Sequence, residues 1–489
     1  MQLKIISLRR MKNKFAAFAM LFMAVFTLAS CLNDDTDYVY TDDSAITSFS
    51  VTGAKRYIHT KTKKGDKDSV YTISSSYTSY KFVIDQKNDT ICNPDSLPYG
   101  VDAKKLVCNV YGLNSMTVYI KNLKDDNVEI VNNTDSLDFS EVRELKVMSN
   151  SGKFLRTYKV KVNVHKEQAD SFFWAPMTKN TDIKQLQNVK TCAIKTAEGK
   201  NRLFLFGTDG NNTKLYVMNN GQTWTAATPK LNDADLTFDA NVCKSIVTKN
   251  EKVYICNAGN ILCTTDGNTW EQTGGATTVK TLVAASPLRL YGYNTEGSLL
   301  ASDDNGATWT LATIDSDASF LPTNNLSYTC TALRTNSNSY RVTIYGTTAT
   351  GAMAIWGKVD EGNKYSENQP WAYYEVSAEN KHALPKLNNM SVATYDGKTY
   401  ALGTPDGMND SNASLYSSKD GGLTWAKDTT LTVPTEITSN KENASNTPNM
   451  ALTVDSSNFI WIVNATEGDT WRGRINRLGW KKEQTDFTE

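Results

Sequence analysis

The sequence predicts an all-β chain of two modules: a β-sandwich over residues 44–166, then a ring of small antiparallel sheets, a β-propeller, over 172–489. Three observations carry this. Short runs alternating apolar and polar residues fill 44–166, separated by turn-formers. From residue 188 onward one unit recurs six times, at a spacing of roughly 40–60 residues. Strands do not alternate with helical patterns, which argues against a doubly wound or barrel α/β fold.

The chain opens on a targeting segment, which is set aside before the fold is read. Arg9, Arg10, Lys12 and Lys14 precede an apolar run from Phe15 to Ala29, long enough for a signal peptide and short of the ~20 residues that span a bilayer. Met11 is an equally good start. The run ends in "LASC", Leu28 to Cys31, which resembles a bacterial lipobox. The resemblance implies cleavage before Cys31 and acylation of that residue, several acyl chains anchoring stably where one is marginal. Residues 31–43 form an acidic tether, and its "LNDDTD", Leu32 to Asp37, resembles the export signal of Bacteroidetes-type surface lipoproteins. Triplets at Asp43-Ser44-Ala45, Asp68-Ser69-Val70, Asp89-Thr90-Ile91, Asp95-Ser96-Leu97 and Asp135-Ser136-Leu137 resemble that lineage's O-glycosylation signal. The expected location is the outer membrane, lipid-anchored and facing outward.

Composition bounds the function. Lysine plus arginine equal aspartate plus glutamate at 52 each, which argues against nucleic acid as partner, since that needs a concentrated basic face. Seven cysteines follow Cys31 with no CxxC spacing. Cys92 and Cys108 are candidates for a pair; Cys192, Cys243 and Cys330 are read as small buried residues of equivalent strands. Three scattered histidines, His59, His165 and His382, cannot make a histidine metal site. No metal or cofactor is expected.

In the first module "SFSVTG", "YKFVID", "KLVCNVYG", "MTVYIKN", "ELKVMS" and "TYKVKVNVH" read as half-buried strands of an Ig-like sandwich. "HKEQADS", from His165, reads as the connection to the second module.

There the first half of each unit is a hairpin, as in "VKTCAIKTAEGKNRLFLFG" or "MSVATYDGKTYALG". The second half is a third strand, a tight turn and a tryptophan-led fourth strand, as in "SLLASDDNGATWTLA". Units ending at Trp371 and Trp480 keep only the tryptophan. Six blades are expected, or seven if Trp174 opens another. Two turns carry Ser-x-Asp-x-Gly-x-Thr-Trp in full: Ser302, Asp304, Gly306, Thr308, Trp309, and Ser418, Asp420, Gly422, Thr424, Trp425. This motif resembles the Asp-box, or BNR repeat, of several propeller families, where its role is structural. Glycine supplies positive φ, the aspartate accepts from the turn's amides, and the tryptophan is buried. Two copies look degenerate: Asn219 replaces the aspartate before Gly221-Gln222-Thr223-Trp224, and Asp266 is displaced by one before Gly267-Asn268-Thr269-Trp270. The whole arrangement resembles an uncharacterised family of Bacteroidetes surface lipoproteins with an Ig-like N-terminal domain and an Asp-box propeller.

Propeller ligands are expected where the second-to-third-strand loops meet the channel. Those loops offer Asp209, Glu296, Asp406, Asp410, Glu467, Asp469 and Trp471 as candidate ligand-binding residues, a ring of acids with one aromatic, against the reading that they are ordinary turn residues. Tyr365, Tyr373 and Tyr374 are candidates for an aromatic platform, or for a packed strand face. No catalytic constellation is legible. Sialidases also carry Asp-boxes, but their arginine triad is not matched: "FFWAPMTKNTDIKQLQNVK" holds no arginine, and Arg202, Arg289, Arg334 and Arg341 sit outside matching motifs. A glycosidase needs only two carboxylates at a suitable separation, so glycoside hydrolysis stays as the alternative to non-enzymatic recognition of a glycan or an outer-membrane protein.

Overall fold

A computed structural model describes residues 40–61, 67–125, 127–221, 223–274, 278–336, 338–362, 369–376, 380–406, 412–439 and 448–481. Cys31 and the export segment, Tyr365 and Asp410 lie outside the described residues. The chain divides into two compact units, with the break between Lys166 and Glu167.

The first unit is two sheets around one core. In one, the long strand Ile46–Lys61 pairs antiparallel with Asp68–Ser75 and with Leu106–Gly112. In the other, Leu155–Lys161 lies between Arg143–Met148, antiparallel, and Thr90–Cys92, parallel. Every second residue of Leu106–Gly112 is buried, and likewise along Arg143–Met148, because successive side chains point to opposite faces. The buried faces meet: Phe49, Val51 and Cys108 of one sheet pack with Leu145, Tyr158 and Val160 of the other. Cys92 and Cys108 stand on different sheets and are both free thiols, so the candidate pair does not form.

The second unit is a β-propeller. Its described residues form six sheets, each built on four antiparallel strands. The first strands are Gln187–Lys195, Ile246–Lys249, Val279–Ala285, Asn324–Ala332, Leu387–Tyr395 and Met450–Val454. Each touches the first strand of the next sheet, and the sixth touches the first, so the ring is closed. Cys192 and Cys330 lie on two of these strands, whereas Cys243 sits in the 3-10 turn Val242–Lys244 just ahead of its strand.

Closure corrects the sequence reading of the last unit. The third strand of the sixth sheet is Asp469–Ile475, followed by the 3-10 turn Asn476–Gly479, so Trp480 leads no strand. The outer strand is instead Phe172–Pro176, which pairs antiparallel with Asp469–Ile475. Trp174 therefore belongs to the sixth sheet rather than opening another. Strand pairing between the two ends of the module ties the ring shut.

Tryptophan packing holds consecutive sheets together. Trp224, Trp270, Trp309, Trp371 and Trp425 each join an apolar cluster shared with the preceding sheet, and Trp174 packs against the equivalent cluster for the sixth. Trp371 meets Tyr291 edge-on at 5.0 Å, and Trp425 meets Tyr345 at 6.0 Å. At ~25 cal/mol/Å², burying a whole ring, as at Trp270 and Trp371, stabilises by on the order of 4 kcal/mol.

The turns between third and fourth strands explain the motif. The Ser302 hydroxyl donates to Asp304 (2.8 Å) and accepts from the Gly306 amide (2.8 Å); Asp304 accepts from the Thr308 amide (2.8 Å); the Trp309 indole donates to the Gly306 carbonyl (3.0 Å). Ser418, Asp420, Gly422, Thr424 and Trp425 repeat this arrangement. Gly306 needs to be glycine twice over: its φ is +97°, and a Cβ would lie 2.9 Å from Ile261 of the preceding sheet. The copy before Trp270 is not degenerate in structure. Asp266 accepts from the Asn268 and Thr269 amides (2.8 and 2.7 Å), Thr264 takes the serine's place, and Trp270 donates to Gly267 (3.0 Å). The turn is one residue shorter and closes anyway. In the first sheet Asn219 instead accepts from Arg202 (2.7 Å), and Trp224 donates to Thr470 of the sixth sheet (3.0 Å).

At this same end of the ring, Asp360 of the fourth sheet is fully buried. Arg289 of the third sheet donates to it and also to Asp303 (2.6 Å), while the Ser286 hydroxyl donates to its second oxygen. A buried carboxylate is tolerable only when paired and hydrogen-bonded in this way.

Candidate ligand site at the channel mouth

The opposite end carries the cavity. The start of each first strand pairs with the end of the second, beside the second-to-third-strand turn, as Gln187 with Thr208 and Thr208 with Thr213. A cavity of about 870 Å³ opens there, lined by residues from all six sheets. That volume lies within the range of ligand pockets.

The rim is built by asparagines. Asn188, Asn325 and Asn389 take φ of +50°, +51° and +52°, and the pairing register of each first strand slips there. Asparagine tolerates this left-handed conformation better than other residues with a Cβ. The bulge turns the amides of two of them toward the neighbouring sheet: Asn325 donates to the Leu387 carbonyl (3.1 Å) and Asn389 to the Pro448 carbonyl (3.1 Å). Asn449 continues the belt to the Leu186 carbonyl (2.6 Å), so the fourth, fifth, sixth and first sheets are clipped in sequence. One layer down, the hydroxyls of Ser245, Ser327 and Ser391 accept from the Leu282, Val392 and Leu452 amides (2.7, 2.9 and 3.0 Å) of the next sheet.

Two side chains span the axis below this belt. Lys190 of the first sheet donates its ammonium to the Leu326 carbonyl of the fourth and to the Met390 carbonyl (3.4 Å) of the fifth. Burial pulls its pKa down to about 8. Tyr328 of the fourth sheet accepts from the Thr248 amide of the second (2.8 Å).

The charges of the lining are Lys190, Lys244, Lys280 and Asp239. Lys244 and Lys280 are exposed; Lys244 donates to Asn241 (3.3 Å), and Asp239 accepts from the Asn241 amide (2.8 Å). Tyr293 also lines the cavity, is buried, and its hydroxyl has no hydrogen-bond partner among the described residues. Burial pushes the Cys256 thiol up to about 11, and it donates to the Val279 carbonyl (3.3 Å). A thiol held protonated is a poor nucleophile.

None of the described acids singled out from the sequence, Asp209, Glu296, Asp406, Glu467 and Asp469, lines this cavity. Asp209 caps its own turn, accepting from the Asn211 and Asn212 amides (2.9 and 2.8 Å) and pairing with Lys214; those amides hold its carboxyl at about 2. Asp406 pairs with Lys386 (2.9 Å), Glu467 with Lys184 (3.6 Å) and Asp469 with Lys179 (3.2 Å). Glu296 accepts from the Thr295 hydroxyl (2.8 Å). Trp471 is buried in the core between the fifth and sixth sheets, which removes it as a ligand contact. Tyr373 stacks on Phe320 (5.0 Å) and Tyr374 packs on the fourth and fifth sheets, so both belong to packed faces rather than an open platform. The two complete Ser-x-Asp-x-Gly-x-Thr-Trp turns lie at the far end and take no part in the site. The sequence reading missed the asparagines and Lys190. Their signal is an asparagine–aliphatic pair opening five units: Asn188-Val189, Asn241-Val242, Asn325-Leu326, Asn389-Met390 and Asn449-Met450.

Fold and cavity together define a class: an all-β protein pairing a two-sheet module with a propeller whose mouth forms a polar cup. The chain belongs to the DUF6242 family, its residues 168–483 matching the DUF6242 beta propeller domain and 49–162 the N-terminal domain of unknown function (DUF6242). No curated protein matches it. Among solved structures it is similar to the SapL1 lectin in complex with alpha methyl fucoside, at 14% identity over 58% of this chain and 90% of that one, TM-score 0.38. The six-bladed fungal lectin of Aleuria aurantia matches at 11% identity over 59% and 91%, TM-score 0.34. The Niastella koreensis GH74 enzyme matches at 14% over 74% and 46%, TM-score 0.31. Likeness at this level says nothing about what this chain binds.

Proposed function

We propose that the chain is a surface lipoprotein, anchored in the outer membrane through acylated Cys31 and facing outward, whose six-bladed Asp-box propeller binds a glycan or protein ligand at the channel mouth. On this reading the N-terminal module is an Ig-like spacer and carries no ligand. The observation that supports recognition is the cavity itself: about 870 Å³, lined by all six sheets and rich in asparagine amides. Such a wall offers donors and acceptors to many hydroxyls at once. The glycoside hydrolase alternative asks for two carboxylates flanking a bond, and the described lining supplies Asp239 alone.

The test is a glycan array and a reducing-sugar release screen on the full chain in detergent micelles. Binding to a defined set of glycans without release of sugar is expected. Steady release abolished by Asp239→Asn would replace the binding reading with the hydrolase.

A further inference from the structure

We propose that the cavity takes an anionic saccharide, with its carboxylate or sulfate placed among Lys190, Lys244 and Lys280. This deepens the binding reading above and rests on it.

The sign of the charge comes first. The chain is neutral overall at 52 basic and 52 acidic residues, yet the described lining concentrates three lysines against one aspartate. The excess is local, and it lies in a concave site where field lines converge. The lysines come from three consecutive units: Lys190 near the start of Gln187–Lys195, Lys244 in the 3-10 turn Val242–Lys244 ahead of the second unit's first strand, and Lys280 in Val279–Ala285. A ligand entering over the axis meets all three.

Lys190 is the anchor of the site. An ammonium carries three donors, and two are accounted for by the Leu326 and Met390 carbonyls. One donor remains for an incoming anion. The carbonyls fix the nitrogen from the side away from its own sheet, so little side-chain entropy is lost when a ligand arrives.

The remaining lining suits a saccharide better than an acidic peptide. Asn188 has no side-chain partner among the described residues, and Thr281 and Thr295 add hydroxyls. Tyr293 adds part of its ring to the wall, its hydroxyl being buried away from solvent. Acidic peptide motifs are recognised by clusters of arginine, whereas the described walls hold no arginine and interleave lysines with amides and hydroxyls.

The experiment compares matched pairs on the full chain in detergent micelles by calorimetry: oligogalacturonate against its methyl ester, and chondroitin sulfate against desulfated chondroitin. The carboxylate and sulfate arms distinguish the two sources of charge. In at least one pair the charged member is expected to bind about tenfold tighter than its neutral partner, weakening as salt rises. Lys244→Ala/Lys280→Ala, both exposed, should remove about tenfold of that preference at unchanged melting temperature. Equal affinity within both pairs, or a preference indifferent to the double variant, overturns the proposal while leaving glycan recognition standing. Tighter binding of oligoglutamate than of any saccharide overturns the saccharide assignment. Binding to none of these ligands overturns this proposal, and a blank glycan array besides removes the glycan half of the binding reading.

Discussion

The two ends of the propeller are built by opposite means. At the turn end, the same few residues recur from sheet to sheet: Asp304, Asp420 and Asp266 each cap a turn, and Trp309, Trp425 and Trp270 each donate to a turn glycine. At the mouth end, an asparagine position recurs, but Lys190, Lys244, Lys280 and Tyr293 each occur once. Repetition at one end keeps the sheets alike enough to close a ring. Variation at the other makes a cup with direction and charge.

This contrast is open to attack by substitution. The largest expected effect is at the turn end, where Asp360→Ala leaves Arg289 without its buried partner; the loss is about 3–5 kcal/mol in chemical denaturation. A cost below about 1 kcal/mol would mean that the third and fourth sheets do not depend on the pair. Trp270→Ala, at a site 2% exposed, should cost about 3–5 kcal/mol, and the half-buried Trp309→Ala less. Equal losses would show that exposure of the ring does not set its worth.

At the mouth end the expected effects on stability are smaller. Asn389→Ala strands the Pro448 carbonyl and forces alanine into a left-handed conformation, for about 1–2 kcal/mol in denaturation. The smallest effect is one of pH. Hydrogen bonds from the Thr308 hydroxyl and amide, with Ser302, hold Asp304 at about 2, below its ordinary 3.8. A carboxyl depressed on folding contributes stability above its unfolded value that is lost as pH falls toward its folded one. The wild-type melting temperature should therefore fall more steeply between pH 4 and 2 than that of Asp304→Asn. Parallel acid limbs would remove the charge from the account of these turns.

Legibility follows the same division. The turns were readable because Ser-x-Asp-x-Gly-x-Thr-Trp joins residues two to seven apart, so its chemistry is local. Even so, the shortened turn at Asp266 looked broken, since spacing alone hides that Thr264 can serve as the serine does. The sandwich strands were readable from period-two alternation. The mouth was not, because Lys190 meets Leu326 and Met390 only after the ring has formed, 136 and 200 residues along the chain. The acids that sequence favoured are the ones turns use for themselves, as Asp209 does. The asparagine–aliphatic pairs were visible, but units aligned on their apolar residues begin one position later.

The strand Phe172–Pro176 has a consequence for biogenesis. It is made at the start of the ring and finds its partner, Asp469–Ile475, only when nearly three hundred further residues have emerged. Until then Phe172 and Trp174 lack the sixth-sheet cluster they pack against, so the partly made ring exposes apolar surface. A chain cut short before residue 469 would lack the strand that Phe172–Pro176 pairs with, leaving that strand without its ladder.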